Sequence, residues 1–288
     1  MQLSAQDTEK KYVYQTFKDT RVINTFSVET LQKRQLDFRV SHRFGDFINN
    51  WTFVNGWATF FGLEAAADVG IGVEYGITNN LMVGISRTAS YGPLKSNINT
   101  LVKYKMLSQT EGNGMPITLT LAGTAAISTM LAADNPRSLA SFNKGADSYK
   151  RFAARMSYSA QIHAARKFGD KFSLQLSPTF VWRNLVDYND SNALISMGVV
   201  AKYQVTKVVG IIIDANLPFD GLRWKSGSGY HVPIGVGFEF DTGGGHVFQI
   251  NITNSAGIAP TDYIPYTDLN WADGQFRLGF TIARAFRL

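Results

Sequence analysis

The chain has 288 residues, 45% of them hydrophobic, with a mean hydropathy of −0.08. No run approaches the roughly 18 apolar residues of a membrane-spanning helix, so helical spans are excluded, while spanning strands, whose alternation averages to neutral hydropathy, are not. Cysteine is absent, which excludes disulfides, thiolate metal sites and a cysteine nucleophile, and the net charge of +6 is spread along the chain instead of gathered into the basic runs of nucleic-acid binders.

At the amino end, MQLSA (Met1 to Ala5) sets apolar Leu3 and small Ala5 where a signal peptidase reads ahead of Gln6, with no apolar stretch before them. An exported chain whose signal peptide has been removed is expected, and a cytosolic start at Met1 is the alternative. Asp7 to Gln35 is polar and has no clean period, yet Tyr12, Tyr14, Phe17, Val22, Ile23, Phe26, Val28 and Leu31 make it too apolar for an ordinary disordered tail. Residues 1–35 are expected to sit against, or enter, whatever the strands enclose, with Arg21 paired inside. A mobile extension is the other reading.

Leu36 to Phe44 (LDFRVSHRF) is the first strand, with Leu36, Phe38, Val40, His42 and Phe44 on one face and Asp37, Arg39, Ser41 and Arg43 on the other. The runs TRVINTFSVET (Thr20 to Thr30) and LDFRVSHRFGDF (Leu36 to Phe47) resemble the opening signature of an uncharacterised family of membrane β-barrel proteins from Gram-negative bacteria, a domain of unknown function. The resemblance is specific over Thr20 to Phe47 and looser beyond. It implies an outer-membrane barrel and brings no substrate and no catalytic residues.

Gly45 to Ala66, with Trp51, Phe53, Trp57, Phe60 and Phe61, reads as a long loop with a short helix. Ala67 to Ile77 and Leu81 to Tyr91 form a hairpin closed by Thr78, Asn79 and Asn80. Further strands are predicted at 97–107, 115–130, 151–166, 171–183, 192–205, 207–217, 232–241 and 246–255. The last, within Asp273 to Leu288, alternates Phe276, Leu278, Phe280, Ile282, Phe286 and Leu288 against Arg277, Gly279, Thr281, Ala283, Ala285 and Arg287. The tally is about 12, even as single-chain bacterial barrels require. Alternate connections (TNN, SQTEGNG, FGDK, TK, TGGG) are short and the others mostly long, the asymmetry of periplasmic turns and external loops. The expected fold is therefore an all-β, transmembrane, antiparallel up-and-down barrel over residues 36–288, in the cell outer membrane, with residues 1–35 as a periplasmic or lumen-inserted segment.

Tyr75, Phe168, Phe172, Tyr203, Phe240, Phe248 and Phe286 share both the outward parity and the periplasmic end, as an interfacial girdle does. Arg87, Arg166 and Arg284 also have outward parity. Arg166 and Arg284 each lie two residues from a girdle aromatic, and Arg87 is expected at the outer rim, depths at which a long basic side chain reaches headgroups.

The inward parity collects Asp37, Asp68, Glu74, Asp214, Glu239 and Asp241 with Arg39, Arg43, Lys103, Lys105, Arg155, Arg183, Lys202, Arg277, Arg287 and His163. Surplus bases would favour passage of small anionic solutes. The same charges could instead pair and seal the interior, as could the amino segment or an inward loop. Catalytic signals are weak: His163 with Ser159 or Ser157 is the one pairing available, and a lumen hydrogen-bonding histidine is the plainer reading. No metal motif, nucleotide loop or cofactor site is read. The loop aromatics Phe219, Trp224, Tyr230, Tyr263, Tyr266 and Trp271, with the aliphatic Leu222, Ile264 and Leu269, would pack as a lid or meet a surface or periplasmic partner. Three functions are carried: a passive, porin-like channel contacting outer-membrane lipid, a sealed scaffold or receptor, and a soluble ligand-binding barrel. No enzyme activity is expected.

Overall fold

The computed structural model describes residues 11–47, 53–112, 114–131, 142–144, 146–225 and 227–288; Met1 to Ala5 and Trp51 lie outside them. A short hairpin of β1 (Arg21–Val22) and β2 (Thr25–Phe26) precedes the long strands β3 (Gln35–Asp46), β4 (Ala66–Gly76), β5 (Leu81–Thr88), β6 (Asn97–Leu107), β7 (Thr118–Ser128), β8 (Met156–Phe168), β9 (Phe172–Arg183), β10 (Ala193–Gln204), β11 (Val209–Pro218), β12 (Ile234–Asp241), β13 (His246–Thr253) and β14 (Arg277–Arg287). Each strand from β3 to β14 pairs antiparallel with its chain neighbours, and β14 closes on β3. Short helices α1 (Phe53–Ala58), α2 (Gly221–Trp224) and α3 (Pro260–Tyr266) lie in the loops.

Closure is set residue by residue, with Phe286 opposite Leu36, Thr281 opposite Ser41 and Phe280 opposite His42. Because successive side chains point to opposite faces, this one register fixes which side chains face out around the whole wall. On β8, Ser157, Ser159, Gln161 and His163 are buried, whereas Tyr158 and Ile162 are exposed. Ile71, Ile85 and Ile250 are each half or more exposed, at 50%, 53% and 50%. A belt of that kind is unfavourable in water at about 25 cal/mol per Å² of apolar surface, and hydrocarbon removes the penalty. No helix among the described residues is long and apolar enough to cross a membrane.

The aromatics of the expected girdle lie at the short-turn end of the strands. Phe168 stacks beside Phe172 across the β8–β9 turn, with ring centroids 5.8 Å apart, Tyr203 pairs with Phe172, and Phe240 with Phe248. The guanidinium of Arg166 lies 5.2 Å from the ring of Phe168, and that of Arg284 lies 4.5 Å from that of Phe286, so both cations stand beside rings at the short-turn strand ends. Arg87, at the opposite end, donates to Ser96 O and Thr129 Oγ1.

Strand ends differ from the sequence reading where loops take over. The seventh strand starts at Thr118 and not Met115, following Pro116, which has no amide hydrogen for a ladder. β8 starts at Met156 because Phe152–Arg155 forms a 3₁₀ turn. Pro178 lies inside β9, and the β8–β9 pairing is interrupted between Gln161/Thr179 and Ala164/Leu176. A side-chain bond from His163 Nδ1 to Ser177 Oγ, 2.9 Å, crosses the interruption.

The fold predicts detergent-dependent solubility and faster gel migration before boiling than after, because the closed wall resists dodecyl sulfate until heated. A stable monomer in plain buffer would contradict it.

Candidate functional site in the filled lumen

The interior is occupied from both ends. From the short-turn end the segment Thr16–Leu31 runs into the lumen, and its Phe17, Val22, Ile23 and Val28 pack with wall residues Ala165, Val200 and Ile212. Phe26 and Leu31 pack with Met82, Leu101 and Ala122. This plug returns to β3 past Gly76, where any side chain would collide with the carbonyl of Gln32. Its tip is Ile23, a β-branched residue at φ 55°, a left-handed backbone that costs on the order of 1–3 kcal/mol. Ile23 rests on Gly235, where a Cβ would come within 2.8 Å of its Cγ2.

Polar wall side chains hold the plug mainly by its main chain. Asp214 accepts from the amides of Asn24 and Thr25 at 2.8 and 3.1 Å and from Thr25 Oγ1 at 2.7 Å. Gln249 accepts from Ile23 N at 2.9 Å and donates to Arg21 O at 2.8 Å. Lys103 donates to the carbonyls of Thr20 and Glu29, and Arg43 to that of Ile23. Thr120 reaches Val28 O, Gln175 reaches Phe26 O, and Ser173 reaches Thr16 O, each at 2.7–2.8 Å. Ion pairs add to these: Arg39 with Asp19 at 2.5 Å, Arg21 with Glu74 at 3.3 Å, and Lys105 with Glu29 at 3.2 Å. Gly279 makes room for this set, since a Cβ there would meet Arg43 Nη1.

The predicted inward residues thus fall into separate places. Arg39, Arg43, Glu74, Lys103, Lys105 and Asp214 contact the plug. Lys202 and Glu239 pair with each other at 3.2 Å across the wall. His163 is fully buried with Phe26 edge-on 6.4 Å away; its partners are Ser177 and Gln175, while Ser159 bonds Thr124 instead, so the His163–Ser159 pairing does not form. Arg277 sits at the outer mouth, 3.6 Å from Asp268. Two residues do not line the lumen. Arg155 ends the 3₁₀ turn outside β8, stacked 4.4 Å from Tyr149, because the strand starts one residue later, and Arg287 is exposed at the rim where β14 emerges.

The loop after β13 is the second occupant. Tyr263 and Ile264 on α3 pack against Val181 and Leu194 inside the mouth. Asp68 accepts from Ser90 N and Ile258 N, and Asp262 from Tyr91 N and Gly92 N, which ties this lid to β4 and the β5–β6 loop. On the other side Asp190 holds Arg183 at 2.8 Å and Arg223 at 2.6 Å, and Arg223 also bonds Asp220 and the α3 carbonyl of Pro265. All three of Asp190, Arg183 and Arg223 have side chains only 1% exposed. Phe219 and Trp224 remain exposed on the surface. Between plug and wall a cavity of about 30 Å³ remains, bordered by Arg21, Phe26, Arg39 and Asn99. That is room for water but not for a solute. A larger cleft of about 710 Å³ lies at the short-turn mouth, beside Lys18, Glu29, Asp37 and Lys105. Among the described residues no group of His, Asp and Glu could hold a metal ion.

A closed antiparallel wall, apolar outside and polar inside, with an internal plug and lid, defines an outer-membrane β-barrel. The sequence profile of a family described as membrane bound beta barrel domain (DUF5777) matches residues 17–286, and the chain belongs to that family. The match covers plug and wall together. No curated protein sequence matches this chain. Solved structures similar to it include an outer membrane channel from Pseudomonas putida F1, 13% identical, covering 90% of this chain and 98% of that one with a TM-score of 0.49. Others are the KdgM porin in complex with disordered oligogalacturonate (8%, 88% and 99%, 0.49) and the outer membrane protein Omp33 of Acinetobacter baumannii (9%, 88% and 99%, 0.43).

The lid clamp is testable by pH. Burial opposes ionisation of Asp190, but hydrogen bonds from Arg223 and the charge of Arg183 outweigh it and hold its pKa down to about 2. With the folded pKa below the ordinary carboxylate value, its stabilisation is present at neutral pH and disappears as pH falls through about 2. Asp190→Asn leaves two buried guanidinium groups without their shared acid, a loss of about 3–5 kcal/mol. Proteolysis of the 254–276 loop should accelerate in this variant at pH 7, with the wall still resistant. Equal loop cleavage in both proteins would show that the clamp does not hold the lid.

Proposed function

We propose that this protein is a channel of the outer membrane for small polar solutes, in a closed state whose path is blocked by its own segment Thr16–Leu31. The carrying observation is the chemistry of the plug boundary. Apart from the clusters around Val22 and Phe26, hydrogen bonds and ion pairs make it up. A permanent seal would be served at least as well by apolar packing, because buried ion pairs add little over well-packed hydrophobic groups. Polar surfaces can be hydrated after they separate, so the wall is compatible with a water-filled path. The strained backbone at Ile23 also favours departure, since its cost is offset only while the wall holds it.

Anion preference is the expected selectivity. When the plug leaves, Arg39, Arg43, Lys103 and Lys105 all lose acceptors to it. Among the wall acids Glu74, Asp214 and Asp241 lose plug partners, whereas Asp37 keeps Arg39 and Glu239 keeps Lys202. The freed cations would raise the local concentration of small anions. No catalytic step belongs to this reading: His163 bonds Ser177 and Gln175, not a carboxylate, behind Phe26. The double seal favours a second reading, a closed barrel acting as a scaffold or receptor.

Single-channel recording in a planar bilayer separates the two. The chain has no cysteine among its residues, and positions 23 and 235 approach within disulfide reach. The double variant Ile23→Cys/Gly235→Cys should be silent when oxidised and conduct in steps once reduced, and Arg39→Glu should shift the reversal potential toward cations. Equal conductance in both redox states would reject the plug as the barrier. Silence of the reduced, folded protein would favour the scaffold.

A further inference from the structure

We infer that the lumen is a binding site for peptide folded back on itself as a hairpin, recognised through its main chain. The inference rests on the channel reading and names the class of solute. In the closed state the wall already binds a polypeptide, and the contacts show what the wall is built to recognise. Gln249 offers its amide carbonyl to Ile23 N and its amide NH₂ to Arg21 O, at 2.9 and 2.8 Å, so one side chain pairs with a peptide edge as a neighbouring strand would. One oxygen of Asp214 takes two consecutive main-chain amides. Lys103 takes two carbonyls from different limbs of the segment. Main-chain amides and carbonyls recur in every peptide whatever its side chains, so this recognition tolerates sequence. A sugar or a simple anion lacks alternating donors and acceptors at that spacing.

Further capacity lies on β8 to β10, away from the charged residues of β3 and β4. Both amide atoms of Gln161, the carbonyl oxygen of Gln175, Nε2 of His163 and Oγ of Ser196 are buried without a hydrogen-bond partner. Each belongs to a side chain of inward parity, and Gln161 and Ser196 both register with Thr179, which sets them at one height on adjoining strands. Buried polar groups are nearly always paired, so unpaired ones on a solute-facing wall point to a ligand that supplies the partners. Together with the residues that hold the plug, they give the lumen donors and acceptors on opposite sides of a bound peptide.

The test uses the full-length chain with Val22→Asp/Val28→Asp, which places charges in the apolar cluster beside Ala165, Val200 and Ile212 and leaves the wall untouched. If that pair fails to fold by gel mobility, Phe26→Ala replaces it. The probes are a synthetic peptide of the Thr16–Leu31 sequence, a scrambled version of it, and maltohexaose. Both peptides should interrupt the single-channel current within about tenfold of each other in concentration, and the sugar should not at about a hundredfold more. In the unsubstituted protein the tethered plug should weaken either peptide by at least about a hundredfold. Block by maltohexaose at peptide concentrations, or failure of the scrambled peptide alone, would overturn the inference. If the folded variant carries no current, the channel reading fails, and fluorescence anisotropy of the labelled scrambled peptide decides the binding site. Saturable binding supports it and none refutes it.

Discussion

A sheet surrounded by hydrocarbon cannot keep an edge, because each unpaired amide or carbonyl there lacks water to bond. The pairing of β14 with β3, Phe286 opposite Leu36 and Ala283 opposite Arg39, is the contact that removes the last edge. Everything else follows from it. Closure at that register divides every strand into lipid and lumen faces, and it sets Arg39, Arg43 and Glu74 at depths where an inserted segment can meet them. A slip of one residue would turn Arg39 and Arg43 into the bilayer and Val40 into the lumen.

The enclosed volume then has to be filled or hydrated. In this chain it is filled, by a plug from below and a lid from above, and the two use different chemistry. The lid helix α3 brings apolar Tyr263 and Ile264 into the mouth and is braced by short carboxylate bonds to backbone amides and by the buried Asp190 clamp. The plug packs Phe17, Val22, Ile23, Phe26, Val28 and Leu31 against the wall and is otherwise read through its main chain. Wall residues from strands all round the barrel contribute one to three bonds each, so no single strand carries it.

How much of this could be read from the sequence depends on where the partner of each residue lies. A strand's two faces are written in its own alternation, so β6 at Asn97–Leu107 was predicted to the residue and the closing strand near its limits. Parity continues past a strand's end without any mark, which is why Arg155 was placed in the lumen when a 3₁₀ turn already holds it outside. The plug shows no period because its bonds go to distant wall residues and not to its neighbours. Ile23 contradicts its local propensity outright, since the left-handed backbone at a two-residue turn usually calls for glycine. Inward charges such as Glu74 and Lys103 were visible, but their partners Thr20 and Glu29 were not. The clamp of Asp190 with Arg223 joins two loops with no periodic signal in either.

On the channel reading proposed above, the difference between plug and lid bears on where the path is controlled. The lid is continuous with β13 and β14 at both ends, so it can rearrange only locally. The plug is joined to the wall at its β3 end through Gln32 and Arg34, with lighter ties at Tyr12 and Val13 to the β6–β7 turn. A tether of this length keeps the plug at an effective concentration of order millimolar, so bonds worth a net ~0.5–1.5 kcal/mol each, or ~1.5–3 kcal/mol where a charged group takes part, hold it in place. Each bond is replaceable by water, so the segment would leave without the wall unfolding. Stronger apolar anchoring would have made the lumen a core, and the polar plug therefore favours control from the periplasmic side.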